Sequence, residues 1–311
     1  MKQGRDRIVL IGAAVLDVLV RPASPEIFRT GSSPAEDIRM GTGGDALNEA
    51  VVLAGLGKKA ELRTVIGRDM AGEMILRECR TRGILCDRIE VREDLATGIN
   101  VVLVQENGER NFFTNPGGSL RNLSFEDVSA PLEDDTGILC LASIFVSPLL
   151  GPAEMEKLFL CARNRGITVC ADMTKRKNKE TVETVAGALR YVDYLIPNRE
   201  EAMLLTGADS PGRAADILLE AGVGNVAIKC GAEGCLIKNR QMERMVPAMA
   251  GLNCVDTTGA GDSFAGGFLA ALSEGRGFEE CARFANKCGA AAVQVVGATK
   301  WIDNLSSAGL K

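Results

Sequence analysis

The chain has 311 residues, 46% of them hydrophobic, with a formal net charge of −5 and a pI near 5.2. This size allows a large buried core, and the negative charge argues against a nucleic acid or an anionic membrane surface as partner. The sequence has no apolar run long enough to span a membrane. It also contains no histidine, which excludes Ser–His and Cys–His nucleophile pairs.

The start of the chain and its cysteines bear on the compartment. Residues 1–7 lead directly into a strand-like run and do not resemble a signal peptide. The ten cysteines are scattered, mostly within apolar runs, and no CxxC pair occurs. We therefore expect reduced, buried thiols and a cytoplasmic protein.

Short apolar runs alternate with helical segments along most of the chain. The first run, residues 8–12, ends in a glycine and is typical of a buried parallel strand. Further strands are predicted at 137–144, 167–171, 191–196 and 226–229, and helices at 152–164, 179–190, 199–206 and 213–221. This alternation predicts an α/β fold with an open, mostly parallel sheet that helices cover on both faces.

Two pairs of strand-like segments interrupt this alternation. Segments 15–20 and 38–42 are joined by a Pro- and Ser-rich connection, and segments 97–105 and 110–115 flank Asn107-Gly108, a strong hairpin signal. We predict a small sheet within 15–42 and 97–115 that forms a lid over the edge of the parallel sheet where α/β proteins bind ligands. Exposed lid strands would also allow two copies to pair as a homodimer. No linker divides the chain, so residues 1–311 are predicted to form a single domain.

Two features in the first half of the chain could bind a polyol. Residues 41–50 are rich in glycine and are predicted to begin a helix that runs to about Leu56. Asp45 and Asn48 are three residues apart and share one face of that helix, although Asp45 as a helix cap is the simpler alternative. Asp17 is a lone carboxylate in an apolar strand, so it needs either ligand hydroxyls or a backbone N–H group as partner.

Two polar motifs follow predicted strands in the second half. Asn198 and Glu201 share a helix face, which suits a hydrated Mg²⁺ bridging phosphates, although a capping box explains the same spacing. Lys229 ends the next strand and is followed by Gly231 and Gly234. The glycines would admit a nucleotide and Lys229 would meet a phosphate, whereas a simple turn explains the motif equally well.

A third motif, Asp256-Thr257-Thr258-Gly259-Ala260-Gly261-Asp262-Ser263-Phe264, precedes an apolar helix predicted at 264–272. Backbone N–H groups at a helix start lack intrahelical partners and form an anion site with the helix dipole. Gly259, Ala260 and Gly261 carry almost no side chain to block a phosphate. Asp262 beside such a site suggests a base that takes a proton from a hydroxyl during phosphoryl transfer. The alternative is an ordinary helix start that Asp262 caps.

Taken in this order, the motifs resemble the ribokinase-like, or PfkB, family of carbohydrate kinases, from Gly12 to about Ala298. The resemblance implies an ATP-dependent kinase with a central α/β domain and a small β lid, which uses ATP and Mg²⁺. It assigns Asp262 as the base that activates a primary hydroxyl, and Gly259, Ala260 and Gly261 as the anion hole.

The resemblance also implies the remaining site residues. Those that match acceptor-binding positions are Asp17, Gly44, Asp45 and Asn48. Those that match the nucleotide site and its Mg²⁺, held through water, are Asn198, Glu201, Gly231, Gly234 and Asn286. Asp256 and Thr258 match a K⁺ site that many members have, which carbonyls near 293–298 would complete.

Departures from the family pattern narrow the chemical class of the phosphoryl acceptor. Many ribose-binding relatives carry a Glu soon after the mid-chain strand, and its absence from 141–145 argues against ribose. Asp45 stands where many relatives have Lys or a neutral residue, and its charge disfavours phosphorylated or acidic sugars. We therefore predict transfer of the ATP γ-phosphoryl group to a primary hydroxyl of a neutral monosaccharide.

Three other functions remain as alternatives. A nucleoside kinase would use the same scaffold, with Phe28, Phe112 or Phe113 stacking on the base. A non-catalytic sugar-binding or sensing protein would be expected to lose Asp262 or the glycines before it, and all are present. A dinucleotide-dependent oxidoreductase is disfavoured because no GxGxxG turn follows the first strand.

We expect Arg176, in the run Lys175-Arg176-Lys177, to be a surface charge.

Overall fold

The structure is a computed structural model that describes residues 4–106 and 109–305. The turn predicted at Asn107-Gly108 lies outside the described residues. The strands, in chain order, are β1 (Arg7–Ile11), β2 (Val15–Arg21), β3 (Asp37–Gly43), β4 (Lys59–Arg63), β5 (Val65–Gly67), β6 (Glu90–Arg92), β7 (Ile99–Val104), β8 (Arg110–Thr114), β9 (Thr136–Ile144), β10 (Thr168–Met173), β11 (Tyr194–Leu195), β12 (Asn225–Lys229), β13 (Cys235–Asn239) and β14 (Glu243–Val246).

The helices are α1 (Ile27–Thr30), α2 (Asp45–Gly55), α3 (Met70–Arg82), α4 (Ser119–Asn122), α5 (Phe125–Val128), α6 (Pro152–Asn164), α7 (Val182–Leu189), α8 (Arg199–Thr206), α9 (Pro211–Glu220), α10 (Ala260–Ser273) and α11 (Phe278–Ala292). Short 3₁₀ helices span Gly231–Glu233 and Lys300–Asn304.

The larger sheet has the strand order β14-β13-β12-β11-β10-β9-β1-β4. Neighbouring strands from β12 to β4 are parallel, and β13 and β14 are antiparallel additions at one edge. Every residue of β9 is buried, as expected for a central strand that is covered on both faces. The predicted open, mostly parallel sheet is therefore confirmed.

Helices cover both faces of the larger sheet, and strand β1 shows how. Ile8 and Leu10 belong to the core formed with α2, α3, α10 and α11. Val9 and Ile11 belong to the core formed with α6 to α9 on the other face, because successive side chains of a strand point to opposite sides. Within the described part of the chain, no helix has the length and apolar character that a membrane span requires.

A separate small sheet has the order β3-β2-β7-β8. Strands β2 and β7 are parallel, and the two outer pairs are antiparallel. The predicted four-stranded sheet is thereby confirmed. Asp17, Asn100 and Thr114 are in register across it, so their side chains lie on one face of the sheet, which we call the Asp17 face.

The structure differs from the sequence-based prediction at several boundaries. Strands β4, β5, β6 and β14 were not predicted. The predicted strand at 191–196 is only β11, because the amides of Tyr191 and Val192 bond to the carbonyls of Ala188 and Leu189, at 3.1 and 3.0 Å, and extend the end of α7. Helix α9 begins two residues earlier than predicted, with Pro in its first turn, where its missing N–H costs nothing.

Candidate active site

Polar side chains converge at the carboxyl ends of the parallel strands. Ser143 lies near the end of β9, Asp172 near the end of β10, and Lys229 ends β12. The starts of α2 and α10 meet at the same place, where Asn48 Nδ2 donates to Asp262 Oδ2 at 2.7 Å. This is the edge of an open α/β sheet at which ligands bind.

Asp262 lies in the first turn of α10 and does not cap it. The N-cap residue is Gly259, in a left-handed conformation with φ of 70°. The Asp262 carboxylate instead accepts the hydrogen bond from Asn48. The alternative in which Asp262 serves as an ordinary cap is therefore not what the structure shows.

Burial raises the pKa of Asp262 to about 8, and the neighbouring charge of Asp45 acts in the same direction. The hydrogen bond from Asn48 and the charge of Lys229 oppose this rise. A carboxyl group whose pKa lies near neutral pH is suited to general-base work.

Backbone N–H groups cluster at the start of α10. The first i→i−4 hydrogen bond of α10 runs from the N–H of Ser263 to the carbonyl of Gly259, at 2.8 Å. The amide of Gly261 belongs to the preceding turn, whose N–H groups have no intrahelical acceptor. The N–H of Ala260 is partly engaged by the carbonyl of Thr257 at 3.3 Å. The predicted anion-hole residues thus form one helix start.

The glycines of this helix start are in different surroundings. A Cβ on Gly259 would lie 2.5 Å from the Cα and carbonyl oxygen of Ala298, so only glycine fits there. A Cβ on Gly261 would meet only the Nζ of Lys229, at 3.6 Å. The Lys229 ammonium therefore lies beside the predicted anion hole.

Lys229 is held by a buried ion pair with Asp172. The Lys229 Nζ lies 2.5 Å from Asp172 Oδ2, and the two side chains are only 14% and 7% exposed. The other oxygen of Asp172 accepts the N–H of Met173 at 2.7 Å. Burial raises the pKa of Asp172 to about 7, against the opposing charge of Lys229. Burial alone would lower the pKa of Lys229, but the carboxyl groups of Asp172 and Glu201 outweigh it and raise that pKa.

The predicted acceptor loop forms the start of α2. Gly44 is the N-cap residue with φ of 96°, and a Cβ there would lie 2.6 Å from the carbonyl oxygen of Ala13. Asp45 is the first helical residue and not the cap; its carboxylate accepts a hydrogen bond from Ser143. Burial raises the pKa of Asp45, and Ser143 and Lys229 oppose the rise.

Asp17 reaches the site from the small sheet. Asp17 Oδ1 accepts a hydrogen bond from Asn100 Nδ2 at 3.0 Å. Burial raises the pKa of Asp17, the hydrogen bond from Asn100 lowers it, and the charge of Asp45 adds to the rise. Asp17 and Asp45 are therefore electrostatic neighbours, although Asp17 lies on a strand of the small sheet and Asp45 begins helix α2.

Asn198 and Glu201 form a capping box at the start of α8. Asn198 Oδ1 accepts the N–H of Glu201 at 2.9 Å, and Glu201 Oε2 accepts the N–H of Asn198 at 2.8 Å. Asn198 pairs with Lys229 in an isolated bridge, which places the box beside the Lys229–Asp172 pair. The second oxygen of Glu201 is not used by the capping box.

The remaining predicted nucleotide residues surround one loop. Gly231 and Gly234 both have positive φ, 60° and 105°. A Cβ on Gly234 would lie 2.5 Å from the amide nitrogen of Ala248. Asn286 Nδ2 donates to the carbonyls of Val246 and Pro247, at 3.0 and 3.1 Å. Gly234 and Asn286 thus contact the same segment after β14.

The predicted K⁺ residues lie together at the loop before α10. Asp256 Oδ1 accepts from the N–H and hydroxyl of Thr258, at 2.9 and 2.7 Å. Asp256 Oδ2 accepts the N–H of Gly297 at 3.0 Å. The loop is therefore tied to residues 293–298, whose carbonyls are the other predicted ligands. Within the described ranges, no group of three or more His, Cys, Asp and Glu side chains is arranged to hold a metal ion.

Three further side chains bear on the alternatives. Phe112 is in register with Val102 and lies on the Asp17 face, whereas Phe113 lies on the opposite face. Phe28 is 81% exposed. Arg176, predicted to be a surface charge, is half-buried and donates to the carbonyl of Glu180 at 2.7 Å.

Sequence reasoning missed four polar residues of the site, namely Glu49, Asn100, Ser143 and Asp172. Ser143 and Asp172 carry a usable signal, because each lies near the end of a parallel strand. Asn100 is the one polar residue in the apolar strand β7, a signal of the kind that singled out Asp17, whereas Glu49 lies inside a helix and carries none.

Comparisons with known proteins show the family to which this chain belongs. The family model described as pfkB family carbohydrate kinase matches residues 5–304. A ribokinase of Schizosaccharomyces pombe is 27% identical over 312 residues, which cover 96% of this chain and 95% of the relative. A cytidine kinase of Thermococcus kodakarensis is 37% identical over 148 residues, which cover 46% of this chain and 52% of the relative.

A solved structure shares the fold across nearly the whole chain. It is an Arabidopsis thaliana ribokinase complexed with ribose and ATP, with a TM-score of 0.81, 24% identity, and coverage of 98% of this chain and 99% of that one. The fold, the order of the motifs and the family match agree. The chain belongs to the pfkB family of carbohydrate kinases, and is by that membership an ATP-dependent kinase.

Proposed function

We propose that this protein transfers the γ-phosphoryl group of ATP to a primary hydroxyl of a neutral monosaccharide. The observation that carries the proposal is the 2.7 Å hydrogen bond between Asn48 and Asp262. It joins the predicted acceptor loop to the predicted base at the helix start where a phosphate would bind. The small sheet acts as a lid that excludes water from the reacting groups.

Asp262 acts as the general base. Its ionised carboxylate accepts the proton of the acceptor hydroxyl while the oxygen attacks the γ-phosphorus. The bond from that phosphorus to the bridging oxygen of ADP breaks as the new bond to the acceptor forms. The amides of Gly259, Ala260 and Gly261 stabilise the charge that develops on the phosphoryl oxygens.

The other side of the cleft holds the nucleotide and its metal. Lys229, Gly231, Gly234 and Asn286 face the nucleotide in this proposal. Asn198 and Glu201 suit Mg²⁺ bound through water, because Mg²⁺ retains several waters and one carboxylate oxygen of Glu201 lies outside the capping box. When bound, Mg²⁺ neutralises phosphate charge. Asp256 and Thr258 are the proposed K⁺ residues.

The carboxylates of the acceptor pocket favour an uncharged ligand. Asp17 and Asp45 accept hydrogen bonds from Asn100 and Ser143, and each carboxylate raises the electrostatic cost of a second negative charge nearby. Sugar hydroxyls can donate to both. A phosphate or carboxylate on the acceptor would instead be repelled.

A nucleoside kinase is the second candidate, and one observation favours it. Phe112 lies on the Asp17 face, one row beyond Asp17 and Asn100. It is 62% exposed, so a base attached to a bound ribose would have an aromatic surface to stack on.

We also propose that the lid joins two copies in a homodimer. The face of the small sheet opposite Asp17 carries Ile38, Met40 and Phe113, each more than half exposed. A cluster of exposed apolar side chains of this kind is typical of an interaction surface. Sedimentation equilibrium should show a dimer that Met40→Glu dissociates, and a wild-type monomer would contradict the proposal.

The experiment that tests the function is ADP release from Mg·ATP, with K⁺ present, across neutral sugars, polyols, nucleosides and sugar phosphates. We expect release with a neutral sugar and not with its phosphate. Release only with nucleosides would favour the second candidate. No release with any compound, under conditions where ATP binds, would overturn both.

A further inference from the structure

Three side chains of the small sheet form a hydrogen-bonded row that ends at Asp17. Asp17 on β2, Asn100 on β7 and Thr114 on β8 are in register. Thr114 Oγ1 donates to Asn100 Oδ1 at 2.8 Å, and Asn100 Nδ2 donates to Asp17 Oδ1 at 3.0 Å. Asn100 therefore links the other two side chains, because it accepts a hydrogen bond from Thr114 and donates one to Asp17.

The row fixes which way the Asn100 amide faces. A carboxylate can only accept hydrogen bonds, so Asn100 must present its NH₂ group to Asp17. The Thr114 hydroxyl donates to the Asn100 oxygen on the other side and so stabilises that orientation. If Thr114 were absent, this contact holding the amide would be lost.

The second oxygen of Asp17 is confined by backbone. A Cβ on Gly43, which pairs across from Val15, would overlap Asp17 Oδ2. Gly43 directly precedes the acceptor loop at Gly44. The Asp17 carboxylate is therefore held between Asn100 on one side and the start of the acceptor loop on the other.

We propose that Asn100 and Thr114 are positioning residues that orient Asp17 toward the acceptor. This inference rests on the proposed function, in which Asp17 binds acceptor hydroxyls. The Asn100 bond occupies Oδ1, so Asp17 addresses the acceptor mainly through Oδ2. The acceptor must then direct its hydroxyl donors toward this carboxylate. Because the orientation of the Asp17 carboxylate is fixed before binding, less conformational entropy is lost when the acceptor binds.

The test compares variants on the two faces of the sheet. Asn100→Ala and Thr114→Val remove the row, Thr114→Ser retains the hydroxyl, and Asn111→Ala is the matched control because Asn111 lies on the opposite face of β8. For the acceptor identified by the ADP-release panel, we expect Asn100→Ala to raise the acceptor KM about tenfold, as for loss of a hydrogen bond to a charged group. The KM for ATP should change less than twofold. Thr114→Val should act more weakly, and Thr114→Ser and Asn111→Ala should resemble wild type.

A second readout needs no acceptor. The carboxyl carbon of Asp17, assigned with Asp17→Asn, can be titrated by ¹³C NMR. Loss of the Asn100 bond should raise the pKa of Asp17, since that bond stabilises the charged form, and Asn111→Ala should leave it unchanged. An unchanged titration in Asn100→Ala overturns the row, and equal changes in both KM values overturn the positioning role. If no panel compound is phosphorylated, the proposed function fails and the titration alone decides whether the row orients Asp17.

Discussion

Around Lys229, several carboxyl groups influence one another's ionisation. They are Asp45, Glu49, Asp172, Glu201 and Asp262. Glu49 is completely buried, and its Oε1 has no hydrogen-bond partner in the described part of the chain. Burial raises the pKa of Glu49 well above its usual range, and the charges of Asp172 and Asp262 add to the rise. Burial and these neighbouring carboxylates therefore favour the uncharged form of Glu49.

The raised pKa of Asp262 predicts how stability depends on pH. Its folded-state pKa of about 8 exceeds the ordinary value of 3.8, so between these values the native protein binds a proton that the unfolded chain releases. The contribution of Asp262 to stability is thus fully present below the unfolded pKa and is lost as pH rises toward 8.

Asp262→Asn removes this dependence. We expect it to raise the free energy of unfolding by ~1–3 kcal/mol at pH 8, and by clearly less at pH 5.5, as measured by urea denaturation. Asp216→Asn, which alters a partly exposed pair with Lys238 at 2.7 Å, is the control outside the cleft. An equal gain at both pH values would contradict the raised pKa.

At the scale of elements, close helix packing brings the acceptor loop to the base. A Cβ on Gly266 of α10 would lie 2.7 Å from Val52 of α2, and one on Gly267 would lie 2.6 Å from Cys288 of α11. These glycines let α10 pack tightly between its neighbours. Trp301, in the last 3₁₀ helix, donates to the buried hydroxyl of Ser263 at 2.9 Å. Helix α10 is therefore held by α2 and α11 along its middle and by Trp301 near its start.

Alanine substitutions at two glycines of this helix start should affect different properties, namely stability at Gly259 and turnover at Gly261. Gly259→Ala forces a left-handed alanine against Ala298 and should destabilise the fold by at least ~1–3 kcal/mol. Gly261→Ala meets only Lys229 Nζ at 3.6 Å. It should leave the melting temperature nearly unchanged while its methyl group obstructs the γ-phosphoryl group, so kcat falls.

Thermal denaturation and ADP-release assays on the two variants separate these effects. Gly261→Ala with normal turnover would remove that amide from the anion hole. Gly259→Ala with wild-type stability would contradict the described contact with Ala298.

At the scale of the whole molecule, long-period patterns could be predicted from the sequence and short elements could not. The alternation of apolar runs and helices predicts the parallel sheet, because its strands are buried on both faces and lack polar interruptions. Strands β5 and β6 have three residues each, too few for a periodic signal to distinguish them from loops.

The candidate site divides in the same way. Motifs that are local in sequence, such as the starts of α2 and α10, could be predicted because their glycines and carboxylates lie within a few residues. The Asp172–Lys229 pair joins residues 57 positions apart, and the row from Asp17 to Thr114 joins three strands. Such contacts depend on sheet order and register, which a single sequence does not specify.

Turnover by Asp262→Asn tests the general-base role of Asp262 most directly. Because a general base contributes about 10²–10⁴-fold to rate, acceptor-dependent ADP release should fall by that factor, while acceptor binding measured by calorimetry stays within a few-fold of wild type. Asp216→Asn should retain full turnover. If Asp262→Asn also retains turnover, Asp262 is not the base.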